Sequence, residues 1–172
     1  VEAVAHEDGL YGCLLSHQKI VRMARDAKMP YVLVLEDDCK FLVTNGQLKV
    51  HLEHMVDYLA RNPDVQVLNG CANFGEPQLL TWKSEGDLTF LHAKQIATTH
   101  CILYSARSYD TLLAFSQDQV IDVNMNDMRM EFVFPFLATQ APSYSDIQKE
   151  EVDHKIARTY AFVRDVLLAN GR

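Results

Sequence analysis

The sequence predicts an α/β fold, and three observations predict it. The chain has 172 residues, of which 48% are hydrophobic, enough for one domain around a substantial core. Residues 9–27 repeat Leu10, Cys13, Leu14, His17, Val21 and Ala24 at three- and four-residue spacing, the pattern of an amphipathic helix. Tyr31-Val32-Leu33-Val34-Leu35 follows without alternation, as expected of a strand covered on both faces. A helix feeding such a strand is the α/β pattern.

The remaining elements follow in order. Asp8 is placed to cap the first helix, and Lys28-Met29-Pro30 ends it. Glu36, Asp37 and Asp38 come directly after the strand, and Thr44-Asn45-Gly46 marks a turn. A second amphipathic helix is predicted over 47–61, ended by Asn62-Pro63-Asp64, and a short strand over 65–68. Residues 70–87, with three glycines and Pro77, read as a long surface loop of the kind that carries binding functions. Strands are expected over 88–91 and 96–104, and a helix over 106–116. A turn or short helix is expected near Asn124 to Arg129. Pro135 makes any strand at 132–136 short or peripheral. A polar loop over 140–146 and a final helix over 150–169 complete the chain, with no repeat or domain linker between residues 1 and 172.

Lys and Arg total 16 against 23 Asp and Glu, a formal net charge of -7. That balance argues against non-specific binding to nucleic acid or to an anionic membrane, and no nucleic-acid motif is present. Four scattered cysteines without a CxxC pair point to reduced, mostly buried thiols and not to a disulfide scaffold. No signal peptide and no 18-residue apolar run is visible, so a cytoplasmic chain without a membrane span is expected.

The acidic run carries the chemistry. Three acids are poor core material, but carboxylates at a strand end can reach a divalent cation without being buried unpaired. Mg²⁺ and Mn²⁺ take oxygen ligands and are commonly completed by substrate phosphates. Strand ends are also the ligand edge of an open α/β sheet. Adjacent extended residues alternate direction, so Glu36, Asp37 and Asp38 cannot all face one ion. A solvated acidic turn is the competing reading of the same residues.

Gly12-Cys13-Leu14-Leu15-Ser16-His17 followed by Leu35-Glu36-Asp37-Asp38 resembles glycosyltransferase family 25, which includes lipooligosaccharide and procollagen galactosyltransferases. Tyr104-Ser105, Ile121-Asp122-Val123, and Gln140 with Ser145-Asp146-Ile147 resemble further family segments, so the likeness spans roughly residues 9–148. The resemblance implies a GT-A-like (Rossmann-like) mixed sheet flanked by helices. It implies an inverting transfer of galactose or glucose from a UDP-sugar to a glycan or hydroxylysine-type acceptor, with Mn²⁺ or Mg²⁺. About ten residues precede Gly12, where the family has an initial strand and several tens of residues. The chain is therefore expected to be a fragment, or a shortened member lacking the first strand or strands, with an incomplete donor pocket.

On this reading Asp38 ligates the metal, with His100 a second candidate. Ser16, His17, Glu36 and Asp37 lie toward the donor. Asp122 is the main base candidate and Asp127 the reserve. Asn69, Asn73, Trp82, Ser145 and Asp146 are candidates for the acceptor, and Lys94 and Arg129 could offset diphosphate charge. Two other classes compete: a degenerate domain that binds glycans or a protein, and a metal-dependent phosphoesterase. The phosphoesterase ranks last because no second carboxylate–histidine cluster is visible.

Overall fold

The computed structural model describes residues 1–73, 81–94, 96–117, 120–125, 128–141, 143–145, 150–152 and 156–171. In chain order the elements are α1 (Gly9–Asp26), β1 (Tyr31–Leu35), β2 (Cys39–Phe41), α2 (Asn45–Arg61), β3 (Val67–Asn69), β4 (Thr81–Glu85), β5 (Leu88–His92), β6 (Cys101–Ser105), α3 (Ala106–Leu113), α4 (Ile121–Asn124), β7 (Met130–Phe134), β8 (Ala138–Gln140), β9 (Ser143–Ser145), β10 (Glu150–Val152) and α5 (Ile156–Ala169).

Six strands form one mixed sheet in the order β1-β6-β3-β7-β5-β4, and β2–β8 and β9–β10 form two small antiparallel ribbons. Within the six-stranded sheet, β3–β7 is parallel and the other pairs are antiparallel. Strands β1, β3 and β7 therefore end on the same edge, where β6 begins.

Strand alternation sorts the core into two layers. Val34, Val67, Ile102, Tyr104, Met130 and Phe132 face one side and pack with α1, α3 and α5 through Leu14, Val21, Tyr109, Leu112, Val163 and Leu167. Leu68, Leu103, Val133 and Phe90 face the other side, where α2 covers them with Met55, Tyr58 and Leu59. Strand β1 is shared out the same way: Val32 and Val34 join the first layer, Tyr31 and Leu33 the second. Both faces are covered as the unalternating run predicts. Its exposure is lateral, because β1 is an edge strand, and Leu35 at its end is 43% exposed.

The helices begin where capping chemistry allows. The Asp8 carboxylate accepts the N–H groups of Leu10 (3.0 Å) and Tyr11 (3.3 Å). Helix α2 starts at Asn45, earlier than its apolar pattern indicates, because Thr44 and Gln47 form a capping box.

Several expectations need correction. The predicted loop over 70–87 contains β4, so Trp82 sits in an edge strand. The strand expected to be short or peripheral because of Pro135 is an interior one: β7 starts at Met130 and ends at Phe134, which keeps the missing proline N–H off its ladder. The strand predicted over 96–104 starts at Cys101. The polar loop after Gln140 contains β9, and the last helix starts at Ile156, after β10.

Candidate functional site at the end of β1

Helix α1 and the end of β1 build this site together. Cys13 and His17 stand four residues apart on α1 and so project from one face. That face meets Glu36, whose backbone N–H donates to the His100 carbonyl (3.1 Å) as β1 leaves the sheet. The His17 Nε2 lies 3.2 Å from Glu36 Oε1, and the Cys13 thiol points at the same oxygen from 3.9 Å. Thr99 Oγ1 stands 4.0 Å from the Cys13 sulfur and also hydrogen-bonds the Glu36 carboxylate. The other His17 nitrogen, Nδ1, is 2.9 Å from the Tyr104 hydroxyl, which donates to Met125 Sδ at 3.4 Å. His17 is buried, while the Glu36 side chain keeps 24% of its surface in solvent.

The neighbouring pair on α1 has a different task. The Ser16 hydroxyl donates to the Gly12 carbonyl (2.8 Å) and accepts the Val4 N–H (2.8 Å). A Cβ on Gly12 would meet the Val4 carbonyl at 3.1 Å. Gly12 and Ser16 thus hold the first residues of the chain against α1, while Cys13 and His17 hold Glu36.

Burial would raise the Glu36 pKa, but the hydrogen bond and charge of His17, with Thr99 and His100, bring it below the ordinary carboxylate value. Burial, and then the Glu36 charge, push the Cys13 thiol up to about 12. Asp122 lies within electrostatic reach of both Cys13 and Glu36. Burial raises its carboxyl, with Glu36 adding to the effect and backbone N–H groups of Val123 and Asp122 opposing it. Asp122 sits on α4, which packs against α1.

The other predicted residues distribute more widely. Asp37 is exposed. Asp38 turns to the β2–β8 ribbon, where its Oδ2 accepts the Gln140 side-chain N–H at 2.7 Å. His100 is fully buried, with its Nε2 3.0 Å from the Cys71 sulfur. Asn69 is buried at the end of β3, donating to the Thr98 carbonyl (2.7 Å) and accepting the Cys71 N–H (3.3 Å), so its amide is used within the fold. Asn73 bridges to Ala97 and accepts the Thr159 hydroxyl at 3.3 Å. Trp82, on β4, is five strand spacings from β1, roughly 24 Å away. Arg129 lies just before β7, at the sheet end opposite Glu36, paired with Glu131 at 3.0 Å. Lys94 is exposed after β5. Asp127 and Asp146 lie outside the described residues, and Ser145 is described only through its backbone in β9.

All four cysteines are free, with Cys71 and Cys101 buried and Cys13 and Cys39 partly so. Sequence reasoning missed Cys13, Thr99 and Tyr104 as parts of the site. The four-residue spacing of Cys13 and His17 was the available signal for the first. A cavity of about 270 Å³ lined by Arg25, Lys28, Met29, Pro30, Ala106, Tyr109 and Asp110 lies at the other end of β1, away from these acids.

Among the described residues, one group of at least three metal-ligating side chains has its donor atoms within 4.8 Å of one another: Cys13, His17 and Glu36. Asp37 and Asp38 are outside it. A cation of the Mg²⁺ or Mn²⁺ type that bridges phosphates uses one or two protein carboxylates. Asp38 accepts from Gln140 at its Oδ2, and the acidic run forms no cage among the described residues.

No family model matches this chain, and no curated protein matches it. Among the described residues no helix is long and apolar enough to cross a membrane.

Proposed function

We propose that this chain transfers a hexose, galactose or glucose, from a UDP-sugar to a hydroxyl of a glycan or hydroxylysine-type acceptor, with inversion at the anomeric carbon. The observation that carries the reading is a convergence. Three segments far apart in sequence meet around the end of β1: His17 contacts Glu36 at 3.2 Å, and Gln140 contacts Asp38 at 2.7 Å. These are the segments that resemble family 25, and a strand end is where an α/β sheet receives its ligand.

In the reaction the acceptor oxygen bonds to the anomeric carbon as the bond from that carbon to the diphosphate oxygen breaks. The acceptor proton passes to Asp122, whose burial raises its proton affinity and suits it to a base. Glu36, fixed by His17 and Thr99, positions donor hydroxyls. Ser16 and Asn69 act on the backbone, setting the positions of α1 and of Thr98. A divalent cation at Asp38, when bound, supplies Lewis-acid stabilisation to the diphosphate.

The test is transfer and hydrolysis of UDP-galactose and UDP-glucose with Mn²⁺, comparing wild type with Asp122→Asn and Asp38→Ala. Asp122→Asn is expected to lose about 100-fold or more in turnover while UDP affinity, read by calorimetry, is kept. A wild type that neither transfers nor hydrolyses any nucleotide sugar overturns the reading. So does an Asp122→Asn variant at wild-type rate.

A further inference from the structure

We propose that Cys13, His17 and Glu36 form a three-residue binding site for Zn²⁺, with a fourth position open to solvent. The transferase reading puts its cation on Asp38, and the two readings share Glu36 and His17.

Ligand chemistry is the first argument. A thiolate, an imidazole and a carboxylate are the donor types zinc accepts, whereas Mg²⁺ and Mn²⁺ favour an all-oxygen set. Once Cys13 releases its proton on binding, thiolate and carboxylate together would carry two negative charges, which match a divalent ion.

Geometry is the second. Zinc bonds of about 2.0–2.1 Å to N and O and about 2.3 Å to S give tetrahedral edges of roughly 3.3 Å for N···O and 3.5 Å for S···O. The observed separations are 3.2 Å for His17 Nε2 to Glu36 Oε1 and 3.9 Å for Cys13 Sγ to Glu36 Oε1. All three donors lie within 4.8 Å of one another, so they already mark out one face of the tetrahedron. The Cys13 Sγ to Glu36 Oε1 separation exceeds its tetrahedral edge by roughly 0.4 Å. Partial exposure of Glu36 leaves the fourth vertex to water or a ligand.

The outer shell is the third. A zinc-bound Nε2 requires the proton on Nδ1, which then donates to the Tyr104 oxygen. Tyr104 can accept it because its own proton is directed at Met125 Sδ. A histidine ligand whose second nitrogen is held in this way is the usual arrangement at protein metal sites. The Cys13–His17 pair lies within α1 and needs no loop closure to form.

The full chain, freed of metal with a chelator, is titrated with Zn²⁺ against a chromophoric competitor and separately with Co²⁺. One equivalent of each is expected per chain, with Co²⁺ giving a thiolate charge-transfer band and the visible absorption of a tetrahedral ion. Mn²⁺ at equal concentration is expected not to displace the Co²⁺ spectrum. Cys13→Ser is expected to abolish the charge-transfer band. Glu36→Gln, nearly isosteric and partly exposed, is expected to weaken Zn²⁺ binding while far-ultraviolet circular dichroism stays unchanged. Tyr104→Phe, an outer-shell change, is expected to cost about 10- to 100-fold in affinity. Absence of Zn²⁺ and Co²⁺ binding overturns the proposal. It is equally overturned if Glu36→Gln binds as wild type, or if the charge-transfer band survives Cys13→Ser and disappears in Cys71→Ser, which would move the ion to the Cys71–His100 pair. These outcomes are read from metal binding and the transferase reading from sugar transfer with Mn²⁺, so the two readings fail separately.

Discussion

Replacing His17 by Phe tests whether the site is held by its polar contacts or merely enclosed by packing. The phenyl ring keeps most of the volume of the buried imidazole, so the cavity cost is small, but both hydrogen bonds are lost. The bond to the Glu36 carboxylate is charge-assisted, worth about 1.5–3 kcal/mol, and the Tyr104 contact about 0.5–1.5 kcal/mol. Tyr104 retains a thioether acceptor, and Glu36 regains some water through its exposed quarter, so both contributions fall toward the low end. The expected loss is about 2–3 kcal/mol, read from urea denaturation in the presence of a chelator. A double-mutant cycle with Glu36→Gln separates the pair, and the coupling should be about 1.5 kcal/mol. A coupling below roughly 0.5 kcal/mol, within the error of additivity, would refute the claim that His17 positions Glu36.

Two further predictions concern the frame around the site. A Cβ at position 70 would lie 2.5 Å from the Cys101 sulfur and 3.2 Å from its Cβ, so Gly70→Ala should destabilise by about 1–3 kcal/mol, and adding Cys101→Ala should recover part of the loss in the same denaturation assay. Glu85, hydrogen-bonded by Arg61 (2.6 Å) and Lys83 (2.7 Å), has its pKa lowered from 4.5 to about 2 by those bonds. A depressed carboxylate stabilises the fold above its unfolded value, so this contribution should disappear as pH falls from 4.5 toward 2. Wild type should lose stability over that window more steeply than Glu85→Gln, and added salt should reduce the difference because Arg61 is exposed. Parallel curves would refute it.

The sequence carried the layers of this fold better than its borders. Apolar spacing in α1 and the run Tyr31–Leu35 report which faces are covered, and both faces of β1 are covered. Lateral neighbours leave no such trace. Nothing in Tyr31–Leu35 says that β1 lies at an edge, or that Met130–Phe134 lies inside despite Pro135. Strand β4 was hidden because Trp82-Lys83-Ser84 mixes polar residues into an exposed edge. Within the site, Glu36, His17 and Asp122 were legible as residue types in motifs. Their partners were not: Thr99 and Tyr104 lie far along the chain, and the pairing of β6 with β1 brings Thr99 to Glu36 and Tyr104 to His17. The division of labour on α1 was also illegible, since spacing alone cannot tell that Ser16 faces Val4 while His17 faces Glu36.

That edge strand also orders events on the ribosome. In the six-stranded sheet β1 pairs with β6 alone, so Tyr31 finds its neighbour Ser105 about 70 residues later in synthesis, a separation that slows folding. Until then an apolar strand emerges with no hydrogen-bonding partner, and Tyr104, which orients His17, has not been made. A nascent chain stalled before β6 therefore has Glu36 and His17 but no means of fixing them together. The site is completed only once β6 has been made, although its residues on α1 come well before β6 in the chain.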